Sequence, residues 1–159
     1  QGTGMKFSTR EDIEAPIDYV FARTTDFNGF ERRALRREAD VQRLDGSSVI
    51  QQGSAWDIAF KFRGKDRKLR ATIVNLDQPT LVRFGITANG IEGDTVMELL
   101  ALSRNRTRLS VTIDLTPKSL SARLLLQSLK LAKNNLTRKF KLRVSEFAEV
   151  IEDSYGKQS

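Results

Sequence analysis

The chain has 159 residues, 39% of them apolar and 30% charged, a balance that fits one globular domain and excludes a disordered segment. It contains no cysteine and no histidine, which removes disulfide frameworks, thiolate and imidazole metal sites, cysteine nucleophiles and the serine–histidine–aspartate constellation. With 27 Lys and Arg against 20 Asp and Glu, it is a basic protein of net charge +7.

Gln1-Gly2-Thr3-Gly4 has neither the charged nor the apolar region of a signal peptide and reads as a remnant ahead of Met5. One domain is expected over residues 5–153, followed by a tail over 154–159. No run approaches the ~18 consecutive apolar residues of a membrane span. Absence of cysteine and of a leader together suit a cytoplasmic location. Phe7 to Glu14 supplies a first strand, and Pro16 stands where a helix opens. Ile17 to Thr24 and Phe27 to Arg37 then read as two short helices.

From Val41 to Leu115 the pattern alternates with period two, as in half-buried strands. Trp56, Ile58, Phe60 and Phe62 share one face. So do Val82, Phe84, Ile86 and Ala88, then Thr95, Met97, Leu99 and Ala101, then Leu109, Val111, Ile113 and Leu115. The breaks at 45–48, 63–66, 77–80, 89–90 and 103–106 are rich in Gly, Asp, Asn, Ser and Pro. They are too short to hold crossover helices, so the strands are antiparallel.

Pro117 halts the last strand and Ser119 is placed to cap a helix. Ser119 to about Asp153 has no Pro or Gly and reads as one long helix. Its apolar face carries Leu125, Leu129, Ala132, Leu136, Phe140, Phe147 and Ile151. Such a stripe needs a partner, and the antiparallel sheet is the one available.

The order strand, two short helices, about six strands and a long terminal helix resembles the α+β helix-grip fold, with a curved antiparallel sheet of six to seven strands. This is the START-related (SRPBCC) superfamily of the birch-pollen allergen, with its polyketide cyclase/dehydrase-like branch. Ile13-Glu14-Ala15-Pro16-Ile17-Asp18-Tyr19-Val20-Phe21 resembles the superfamily's strand ending in Ala-Pro before a helix with a Val-aromatic pair; Asp26 and Gly53-Ser54-Ala55-Trp56 add to the likeness. The resemblance implies an apolar ligand such as a lipid, polyketide or quinone-like molecule, held between sheet and helix. A strongly bent sheet is not filled by one helix, and the gap left is the default small-molecule site.

The candidate ligand-binding residues are Trp56, Ile58, Phe60, Phe84, Ile86, Met97 and Leu99 on strands, and Leu125, Leu129 and Leu136 on the helix. Each is equally at home in an ordinary core. Lys139 and Arg143 fall inside the apolar arc of the wheel, where they either meet a ligand anion or extend their stems to water or to a carboxylate such as Glu98. Without histidine, acid–base chemistry would fall to Asp57, Glu92, Asp94, Glu98 or Tyr19. No spacing joins these into a pair, and no catalytic residue, metal or cofactor is assigned. A cyclase or dehydrase is the alternative to a binding protein.

Charge supplies a third reading. Lys118 to Arg143 holds eight basic residues and no acidic one, which leaves 19 basic against 20 acidic residues elsewhere. Lys61 to Arg70 adds six basic residues with Asp66 as the lone acid. Arg123, Lys130, Arg138 and Lys141 form the polar helix face, suited to solubility or to RNA, a ribosome or acidic lipid. Some START-related relatives associate with ribosomes or carry quinones at membranes.

Overall fold

Alternation along the middle of the chain becomes a seven-stranded antiparallel sheet in the computed structural model, which describes residues 4–27, 29–30, 39–45 and 49–158. In chain order the elements are β1 (Met5–Ile13), α1 (Ile17–Thr24), β2 (Asp40–Arg43), β3 (Ala55–Phe62), β4 (Lys65–Asp77), β5 (Leu81–Ala88), β6 (Ile91–Ser103), β7 (Arg106–Pro117), α2 (Leu120–Lys130) and α3 (Lys133–Gln158). The strand order is β1-β7-β6-β5-β4-β3-β2, so hairpins join β2 through β7 in sequence and β1 closes against β7.

The tightest hairpins use the turn chemistry read from the sequence. Arg63 and Gly64 have φ of 54° and 75°, and Asn89 and Gly90 have 45° and 80°. Two consecutive left-handed residues make the mirror-image turn whose twist matches that of paired strands. Register shifts in β4 between Ile73 and Asn75, and in β6 between Ala101 and Ser103, mark bulges that bend long strands.

α3 follows β1 in the same direction. Phe140 packs on Phe7 with ring centroids 5.9 Å apart. Further along, the Glu14 backbone N–H donates to Glu152 Oε1 at 2.8 Å, and the Tyr19 and Tyr155 rings lie 5.0 Å apart. Ile13, Val20, Phe21, Val82, Leu99, Leu109, Ala148 and Ile151 fill the core between α1, α3 and the sheet. Packing is therefore solid toward β1, β7 and α1.

The terminal helix differs from the sequence expectation in two ways. It is divided at Leu131–Ala132, where the Leu131 and Ala132 N–H groups donate to Ser128 and Leu129 carbonyls at 3.3 and 2.9 Å, the tighter i to i−3 pattern. The two parts then serve different strands: α2 lies on β7 and α3 chiefly on β1. α3 also runs past Asp153 as far as Gln158, held where Tyr19 Oη and Ser154 Oγ share a 2.6 Å hydrogen bond. Ser119 caps α2 as anticipated, accepting from the Ala122 N–H at 3.1 Å. Of the second short helix, Phe27, Gly29 and Phe30 are helical, and residues 31–37 lie outside the described residues.

Candidate ligand-binding cavity

α3 lies along β1, which leaves the concave face of β3, β4 and β5 without a helix packed directly on it. Pairing puts Trp56 opposite Ala71, and Phe84 opposite both Ile73 and Thr95, on that face. A cavity of about 730 Å³ occupies the gap. Trp56, Ile58, Ala71 and Phe84 form its floor, Val41 its β2 side, and Phe147 and Val150 its α3 side.

Phe27 and Phe30 supply a further wall. The Phe27 ring lies 4.8 Å from Trp56 and meets Phe84 edge-on at 5.5 Å, while Phe30 lies 5.6 Å from Phe147. These are favoured aromatic geometries, and they link the sheet to α3 through the segment after α1. Asp26 steadies that segment by accepting from the Gly29 N–H at 3.1 Å. Arg43 sits 5.1 Å over the Trp56 ring and donates to Asp45, to the Val49 carbonyl and, at 3.0 Å, to Ser54 Oγ. The indole is thereby fixed from behind.

Among the described residues, Arg143 and Glu146 are the polar members of the lining, joined by a 3.3 Å ion pair one helical turn apart. Both are exposed, so they mark a rim where the apolar interior meets water.

Three of the ten residues expected to bind ligand, Trp56, Ile58 and Phe84, border this cavity. The other seven do not. Leu99 is buried in the solid core and Met97 packs against it, because β6 lies beneath α1 and not beneath the gap. Phe60 and Ile86 are half-buried further along their strands, past the aromatic wall. Leu125, Leu129 and Leu136 are half-buried in α2 and early α3, before the helix reaches the cavity at Arg143. Phe27, Phe30, Val41, Ala71 and Val150 were not singled out by sequence. Among the additional lining residues, Phe147 and Arg143 carried a signal, the first from its place on the helical apolar stripe and the second from its charge inside that arc.

Arg143 reaches the rim and pairs with Glu146, not Glu98, whereas Lys139 is exposed and does not border the cavity. Arg123, Arg138 and Lys141 are exposed and Lys130 is half-buried. The candidate acid–base groups lie elsewhere. Asp57 makes a two-pronged pair with Arg70 at 2.8 and 3.1 Å, and Asp94 does so with Arg83 at 2.8 and 2.7 Å, both on the outer sheet face. Glu92 pairs with Lys118 at 3.7 Å, Glu98 is exposed, and Tyr19 is engaged with Ser154. The Arg70 hydrogen bond holds the Asp57 carboxyl below its ordinary value. Among the described residues no cluster of acidic side chains is spaced to hold a metal ion, and no helix is long and apolar enough to cross a membrane.

No protein-family model matches the sequence and no curated protein matches it. Solved structures do. The Zhui aromatase/cyclase from Streptomyces sp. R1128 superposes with a TM-score of 0.66 at 15% identity, covering 94% of each chain. The truncated norcoclaurine synthase from Thalictrum flavum gives 0.65 at 11% identity, over 96% of this chain and 93% of that one. An HSP90 activator from Plasmodium falciparum gives 0.52 at 18% identity, over 72% and 76%. Two enzymes and an activator on one scaffold show that the likeness is one of architecture, and activity has to be argued from the site. The chain has an α+β helix-grip fold, with a curved seven-stranded antiparallel sheet and a long C-terminal helix.

Proposed function

We propose that the protein binds a hydrophobic or amphipathic small molecule in the cavity between β3–β5 and α3. The observation that carries this reading is a space of about 730 Å³ walled by aromatic and aliphatic side chains, with charge confined to Arg143 and Glu146 at its rim. That size lies within the range of about 300–1,000 Å³ usual for ligand pockets. Removing apolar ligand surface from water contributes roughly 25 cal/mol per Å², so about 300 Å² of tail gives about 7 kcal/mol before the costs of ordering. The rim pair suits a ligand with one polar end: the tail lies against Trp56 and Phe84 and the head stays at Arg143 and Glu146. A lipid, a polyketide or a quinone-like molecule has this form.

Trp56 is the single tryptophan of the chain, so its emission reports on the cavity alone. Titration with palmitate and with a short prenylated quinone should change that emission saturably at one ligand per chain. Ala71→Phe, which fills the floor, should abolish the change while the protein still melts cooperatively. Native mass spectrometry of protein from its own host should show a bound lipophile. An unchanged emission with every probe, together with ligand-free masses, sinks the reading.

A further inference from the structure

The outer face of α2 is unusual for a helix packed on a sheet. Its inner side buries Ala122 and Leu126. Leu120, Leu124 and Leu131 nevertheless stand in water, 71%, 57% and 92% exposed. At 100° per residue, positions 120, 124 and 131 fall within a 40° arc, so the three leucines form one stripe along the outside of the helix. Core packing does not account for it.

Positive charge flanks the stripe on both sides. Arg123 lies on one margin, and Lys133 follows the end of the helix. Ser128 lies on the other margin, where Arg63 Nη1 at the tip of the β3–β4 hairpin donates to its Oγ at 3.5 Å. That contact brings the second basic stretch of the sequence, Lys61 to Arg70, beside the first. Two basic runs separated by some fifty residues thus become one surface, with aliphatic side chains along its middle.

We propose that α2 and the tip of the β3–β4 hairpin form a docking surface for an anionic lipid bilayer. The leucines enter the boundary between headgroups and acyl chains, and Arg63, Arg123 and Lys133 meet lipid phosphates. Nucleic acid fits less well, because α2 carries no aromatic side chain to stack on a base and bare leucines gain nothing against a polyphosphate. A second copy of this chain also fits less well, since pairing stripe to stripe brings the flanking cations together. The surface is independent of what the cavity holds.

The test is co-sedimentation of the full chain with phosphatidylcholine vesicles with and without phosphatidylglycerol. Binding should require phosphatidylglycerol and weaken at least about tenfold between low and high salt. Leu124→Asn with Leu131→Asn, and separately Arg63→Glu with Arg123→Glu, should each lower partitioning about tenfold or more, with melting unchanged because these side chains are exposed. The chain lacks cysteine, so Leu124→Cys carrying an environment-sensitive dye gives a second readout, a blue shift on anionic vesicles alone. The proposal is overturned by failure to bind, by binding that the asparagine variants leave intact, or by a dye that stays in water. Salt-sensitive RNA binding without vesicle binding, or a dimer that the asparagine variants dissociate, overturns it equally.

Discussion

Thr107 and Thr95 are two buried hydroxyls whose surroundings set opposite expectations. Thr107 is fully buried and its Oγ1 donates to the Ala15 carbonyl at 2.8 Å, tying β7 to the Ala-Pro step before α1. Thr107→Val leaves that carbonyl without its partner, and denaturant titration should show a loss of about 1–3 kcal/mol. Thr95 lies opposite Phe84 on the concave face, and its Oγ1 is buried with no hydrogen-bond partner. Thr95→Val removes a desolvated hydroxyl, so the ligand-free protein should gain up to about 1 kcal/mol by the same titration. A loss there would mean that the hydroxyl has a partner after all. The sequence shows Thr95 and Phe84 only as members of alternating strands. Their meeting depends on the β5–β6 register, which a turn sets and a list of apolar positions does not.

At the scale of elements, the β5–β6 turn and the start of α2 form one unit. Gly90 has φ of 80°, and a Cβ built on it would lie 2.5 Å from Ser119 Oγ, the atom that caps α2. The Gly90 carbonyl also accepts from the Lys118 N–H at 2.6 Å. Ser119→Ala should cost about 1 kcal/mol through the lost cap. Gly90→Ala should cost more, because a left-handed backbone and a steric clash act together. The double variant should be less destabilised than the sum of the two, since removing the hydroxyl relieves the clash; strict additivity by denaturant titration would refute the coupling. Turn residues and the cap were legible because Asn-Gly, Pro and Ser carry fixed conformational roles. The break in the terminal helix was not, because neither Leu131 nor Ala132 opposes helix formation and the division comes from α2 and α3 resting on different strands.

For the whole molecule, a sheet seven strands wide supports one helix along β1, so one side becomes core and the other a cavity. Sequence periodicity identifies which strand residues face inward, and it correctly brings Trp56, Ile58 and Phe84 to the concave face. It does not say where along the sheet the helix lies, which is why Met97 and Leu99 prove to be core. The outer face is organised differently, by arginine–carboxylate pairs that cross between strands. Asp12 bonds Arg108 at 2.8 Å across β1 and β7, as Asp57 bonds Arg70 across β3 and β4. Asp45 pairs with Arg43 locally, two residues away just after β2 and beside Trp56. In each case the arginine hydrogen bond is the main cause that holds the carboxyl below its ordinary value of 3.8. A carboxyl whose folded value is lowered takes up its proton more readily in the unfolded chain. Its contribution is therefore complete above about pH 4 and fades as pH falls through the lowered folded value. Denaturation midpoints should stay level from neutral pH down to that point and then drop. Asp57→Asn should shrink the drop while lowering the neutral-pH plateau only slightly, because that pair is exposed and screened. Midpoints that fall steadily between pH 7 and 5 would show that these pairs do not govern acid stability.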